Sequence, residues 1–181
     1  LIRMLEGAPD APVPQVLEFL ARLSMGHLVD VVQGFDPLAF RSSPPSADYP
    51  EGAATVEAVA AGADVYLRLL SHPQPDVRAS AAFLVAGVPS CREGASAALS
   101  EALKRETSEV VKASLALCCA RHGHGKPLLE LIHDTSLLVR GAAVVGAAWL
   151  EQPLDDGLAD VLCETRPSNE VVDVFPWGEE G

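Results

Sequence analysis

The side chains best suited to chemistry lie close together: Cys118, Cys119, His122 and His124. Thiolates with imidazoles suit zinc, and Cys118 and His122, four residues apart, would share one face of a helix. A second set is Arg78, Lys112 and Arg140, a row of cations that recurs in a repeated context. No Gly-rich phosphate loop, nucleophile elbow or His-Glu-x-x-His pattern accompanies either set. Asp and Glu are plentiful and read as a solvated face.

The elements that must hold these residues are written three times. Val77-Arg78-Ala79-Ser80 aligns with Val111-Lys112-Ala113-Ser114 and with Val139-Arg140-Gly141-Ala142. Each copy is a short polar turn, then a β-branched residue and a cation, then a run of small and aliphatic residues. Such a turn-plus-helix unit cannot bury its apolar face alone and needs its neighbours. Helix starts fall at one aligned position: Gln74 with Pro75 and Asp76 behind it, Ser108, and Ser136. Between the copies lie their first helices. Ala53 to Leu70 reads as one long helix that Gly62 weakens without ending. Ser90-Cys91-Arg92-Glu93 reads as a capping box opening a helix to about Lys104. Pro127 opens a short helix from Leu128 to His133. Upstream, Val16, Leu17, Leu20 and Leu23 recur at helical spacing up to Gly26.

The same alignment weighs the candidate chemistry. Cys118 falls where Leu84 and Gly146 stand, Cys119 where Val85 and Ala147 stand, and His122 where Val88 and Leu150 stand. Those are core positions, so a packed interior explains the cysteines and no metal or other cofactor is expected. For Arg78, Lys112 and Arg140 two readings compete. One is a ladder in which each cation reaches an acid or a helix-end carbonyl of the next unit; the other is a basic stripe on one face. The ladder is favoured, because acids outnumber the cations around it.

Composition bounds the function. Lys plus Arg number 13 against 25 Asp plus Glu, a net charge of -12. A surface that acidic repels phosphate and disfavours nucleic acid and anionic membranes, while a partner protein with a basic surface is favoured. Aromatics are 5% of the chain, so alanine, leucine and valine must form the core, as suits closely packed helices. The four cysteines have no framework spacing, and reduced thiols in a cytoplasmic protein are expected. No apolar run approaches the roughly 18 residues of a membrane span, and no signal peptide is visible. Residues 1–181 read as one domain with an irregular insertion at 27–52 and a capping tail at 165–181. Phe35, Phe40 and Tyr49 are expected to anchor the insertion across the first repeats, and Phe175 or Trp177 to tuck the tail in.

With its leucine-rich first helices, its turn His72-Pro73-Gln74-Pro75-Asp76 and the following Val77-Arg78-Ala79-Ser80-Ala81-Ala82, the chain resembles the HEAT-repeat family. Within it, the chain resembles the short bacterial repeats related to those of phycobilisome lyases. The resemblance implies an all-α fold: helix pairs stacked into a short right-handed α-solenoid of about four to five pairs. Members of that family are mostly scaffolds that bind proteins; a few bind nucleic acid or act as lyases or glycosylases. A non-catalytic adaptor or inhibitor is therefore expected. The alternative is a lyase or DNA-base-modifying enzyme on the same scaffold, which would need a basic groove and an aromatic-lined pocket with an acid. Trp149, Trp177 and Asp155 are the residues that could imitate that pocket.

Overall fold

A computed structural model describes Leu5, residues 13–24 and residues 50–152. Every regular element among them is helical. The α-helices are α1 (Val13–Ser24), α2 (Pro50–Ala60), α3 (Ala63–Leu69), α4 (Pro75–Gly87), α5 (Arg92–Arg105), α6 (Glu109–Arg121), α7 (Gly125–Leu131) and α8 (Leu137–Trp149). A 3-10 turn, Pro89–Cys91, links α4 to α5. None of the described helices is long and apolar enough to cross a membrane.

The repeated segments are α4, α6 and α8, and they touch in succession: α1 packs on α4, α4 on α6, and α6 on α8. The first helices pack alongside, α3 on α4, α5 on α6, and α7 on both α6 and α8. This arrangement explains why α6 has no polar face. Held between α4 and α8, it buries Val111 and every residue from Ala113 to Ala120, as a helix with neighbours all round must. Small residues let these helices approach closely. A Cβ on Gly146 of α8 would lie 2.9 Å from Ala120 Cβ and 3.2 Å from Leu128 Cδ1, so glycine is what the α6–α8–α7 junction accepts. Leu17, Leu84, Leu99, Leu115 and Leu128 fill the interior, each contributing about 1.5–3 kcal/mol by leaving water.

The three repeat starts are geometrically alike. Gln74, Ser108 and Ser136 are N-caps with φ/ψ of -81/126, -75/123 and -80/124. The capping side chains, however, make no bond to the helix N–H groups. Ser136 Oγ instead donates to Glu109 Oε2 at 2.6 Å, tying the start of α6 to the start of α8.

Several boundaries differ from the sequence reading. The stretch from Ala53 to Leu70 is not one helix: it breaks at Ala61–Gly62 into α2 and α3. Tyr66 causes the break. Its fully buried ring occupies the place a Cβ on residue 62 would need, and its Oη donates to Val59 O at 2.9 Å. Ser90 does not cap α5. It lies in the 3-10 turn, its Oγ donating to Ala60 O, and Cys91 is the N-cap. Pro127 is the third residue of α7, which starts at Gly125. Residues 50–52, assigned above to the insertion, open α2. The rest of the insertion, with Phe35, Phe40 and Tyr49, and the tail at 165–181 lie outside the described residues.

Candidate functional site

The cation row occupies one register. Arg78, Lys112 and Arg140 are each the fourth residue of their helix, and their N–H groups donate to Gln74 O, Ser108 O and Ser136 O at 3.3, 2.9 and 3.0 Å. The side chains of Arg78 and Lys112 leave the row towards the turn that starts the next repeated helix. Arg78 of α4 meets Glu106 before α6 in a two-point contact, Nε to Oε2 at 2.7 Å and Nη2 to Oε1 at 2.8 Å. Its Nη1 donates back to His72 O and Pro73 O at 2.8 and 3.0 Å. Four of the five guanidinium hydrogens are thereby used, and one residue joins its own turn to the next.

Lys112 of α6 repeats the arrangement with Asp134 before α8, Nζ to Oδ2 at 3.2 Å. The acids serve the turns as well. Glu106 Oε1 accepts the N–H groups of Thr107 and Ser108 at 3.0 and 2.9 Å, and Asp134 Oδ1 accepts that of Ser136 at 2.9 Å. In the first turn His72 stands at the same place, its Nδ1 accepting the N–H of Gln74 at 3.2 Å. Each cap N–H is therefore met by a side chain two residues earlier. Arg140 differs, for its Nε is buried and has no hydrogen-bond partner among the described residues.

Electrostatics follow from this geometry. Burial works to raise the Glu106 carboxyl, but the bond from Arg78, the N–H groups of Ser108 and Thr107 and the guanidinium charge outweigh it and hold its pKa below the usual value. Asp134 is lowered by the N–H of Ser136 first, against the opposing effect of burial, and then by Lys112 and the N–H of Thr135. Beside the first rung, a shallow cleft of about 230 Å³ opens between Ser71, His72, Arg105 and Thr107. Its charged groups are already engaged: Arg78 with Glu106, and Arg105 with Ser71 Oγ at 3.0 Å and with Glu101.

The cysteine–histidine set is brought together but turned to packing. Cys91, Cys118 and Cys119 are free thiols, each at most 1% exposed. Burial pushes Cys119 up to about 12 and Cys118 well above its ordinary value. Burial, then the charge of Asp64, raises Cys91 to about 11. A thiolate ligand or nucleophile is disfavoured at all three. His122 sits at the end of α6 with Nε2 3.0 Å from Val85 O. A carbonyl only accepts, so the hydrogen is on Nε2 and the ring ties α6 to the end of α4. His124 stacks on it with ring centres 6.3 Å apart. No group of three or more His, Cys, Asp or Glu side chains is placed to hold a metal ion among the described residues. Trp149 is half-buried against the core; Asp155 and Trp177 lie outside the described residues.

Glu106 and Asp134 were not singled out from the sequence, although a signal was there: both precede Thr, and both stand two residues before a cap serine. No protein-family model, curated protein or solved structure matches the chain.

Proposed function

We propose that the protein is a non-catalytic, cytoplasmic scaffold, an adaptor or inhibitor, whose acidic surface binds another protein with a basic surface. Its helix pairs are read as HEAT-like units stacked in a short right-handed α-solenoid. The observation that carries the reading is the engagement of the repeated cations. Arg78 and Lys112 hold acids of the neighbouring unit, so the recurring positive charge joins units instead of facing outward, and the excess of acids is left for a partner. The succession of contacts from α1 through α4 and α6 to α8, with three matching cap geometries, supports a repeat architecture. Stacked units of this kind offer an extended surface. Between Asp155 and Glu180 the sequence has eight acids against Arg166 alone, which puts the densest negative charge towards the end of the chain. A basic partner would be steered to it at low ionic strength.

The test is capture at low salt by the purified, tagged chain, combined with assays for turnover. A basic protein that elutes progressively as salt rises is expected. No captured protein, together with turnover of a small substrate or release of a base from DNA, would overturn the reading in favour of an enzyme on this scaffold.

A further inference from the structure

The cleft beside the first rung lies between two equivalent turns. His72 of the first turn stands where Glu106 and Asp134 stand in the second and third, two residues before the caps Gln74, Ser108 and Ser136. All three side chains do one local task, accepting the cap N–H. They differ in what they have left to offer. A carboxylate brings negative charge and acceptors, whereas His72 brings neither. Its Nδ1 accepts the Gln74 N–H at 3.2 Å, so the hydrogen of the neutral ring is on Nε2. That Nε2 has no partner among the described residues. The first turn thus keeps its cap and carries a donor where its sisters carry an acid.

The other groups around the cleft are spent in the same sense. Glu106 accepts from Arg78, Thr107 and Ser108 through Oε1 and from Arg78 again through Oε2. Its side chain is 4% exposed, so it presents no free carboxylate. Arg105 gives Nε to Glu101 and one Nη2 hydrogen to Ser71 Oγ, and its Nη1 is unused among the described residues. The pair with Glu101 is open to solvent on both sides, 54% and 57% exposed, and holds Arg105 weakly. Ser71, an acceptor towards Arg105, still has its own hydroxyl hydrogen to give. The unspent side-chain capacity around this space of about 230 Å³ is therefore donors, one of them on a permanent cation. Net charge does not oppose an anion locally. Of the 13 bases in the chain nine lie in residues 50–152, and of the 25 acids only eleven.

We propose that this cleft binds a single oxyanion group, a carboxylate or a phosphate. Arg105 supplies the charge, and the His72 Nε2–H and the Ser71 hydroxyl complete the set of donors. The inference rests on the first two turns alone and is independent of the protein-binding reading.

The test uses the full chain and two probes, sodium succinate and sodium phosphate, at constant ionic strength. NMR follows the His72 ring and the Arg105 Nε–H. Saturable shifts at both residues are expected with at least one probe. Saturation by phosphate alone assigns a phosphorylated ligand, and by succinate alone a carboxylate one. His72→Asp gives the first turn the residue type of the third, so the cap bond and the melting temperature should be kept. Its carboxylate now lines the cleft, and the affinity should fall about tenfold or more. Arg105→Gln, at an exposed position, should weaken binding to a similar extent without unfolding the chain. No saturable shift with either probe, or an affinity unchanged in either folded variant, would overturn the proposal.

Discussion

Replacing Arg78 with methionine keeps the length and apolar stem of the side chain and removes the guanidinium. In the folded protein the Arg78 side chain is 16% exposed and that of Glu106 4%, so the change strands a buried carboxylate. Breaking a buried pair from one side costs about 3–5 kcal/mol. The N–H groups of Thr107 and Ser108 stay on Glu106 and the neighbouring cleft admits water, which places the loss near the lower limit, about 3 kcal/mol. For a chain of this length, 1 kcal/mol moves the melting temperature by about 2–4 °C, so a fall of about 6–12 °C is expected by calorimetry at neutral pH. Lys112→Met breaks a single 3.2 Å contact between side chains 26% and 15% exposed and should cost about 1 kcal/mol, near the upper end for solvent-accessible pairs. Adding Glu106→Gln to Arg78→Met removes the stranded charge and should recover part of the loss. The acid limb gives an independent check. The Glu106 pKa is lower in the folded state, so its contribution is present above the ordinary carboxylate pKa and is lost as pH falls through the depressed value. Arg78→Met should flatten that part of the stability profile. An Arg78→Met protein within about 1 kcal/mol of wild type, or one harmed no more than Lys112→Met, would refute the reasoning, because the range above starts at about 3 kcal/mol.

Gly146→Ala would put a methyl 2.9 Å from Ala120 Cβ on the facing helix; overpacking of this kind costs about 1–3 kcal/mol, measurable by urea unfolding. In a Cys163→Ser background, the thiols of Cys91, Cys118 and Cys119 should resist a disulfide reagent at pH 8 until the chain unfolds, because burial raises all three; rapid labelling of the native protein would contradict their placement. Tyr66→Phe removes the bond to Val59 O and should cost about 1 kcal/mol. In a Tyr49→Phe background the Tyr66 phenol should ionise near 12, raised by burial and then by Cys91. Its share of stability is thus present below pH 10 and lost as pH rises towards that value.

The repeated helices α4, α6 and α8 were legible because three local signals coincide in each: a cap residue, an aligned Val-cation pair and a small-residue run. The core placement of Cys118 was legible by alignment with Leu84 and Gly146, and that of Cys119 by alignment with Val85 and Ala147. What escaped the sequence depends on contacts across space. The break at Gly62 is made by the ring of Tyr66 and its bond to Val59 O, and nothing local distinguishes it from a tolerated helix glycine. Ser90 has the spacing of a capping box, but its chain is already turning in the 3-10 segment behind α4. The rungs were half legible. The cations stood out because Val-cation recurs at a fixed register, whereas their acids lie 28 and 22 residues away, and unequal intervals hide a repeated partner.

The central claim is that the repeated cations hold the units together and the acidic surface does the binding. Titration of the captured partner, across a salt series, against wild-type chain and against Lys112→Met tests it most directly. Lys112→Met is chosen because its small expected loss of stability leaves the chain folded. The account predicts equal affinities for the two chains and a steady loss of affinity as salt rises, as many screened rim charges require. A folded Lys112→Met chain that binds far more weakly, or binding indifferent to salt, would contradict it.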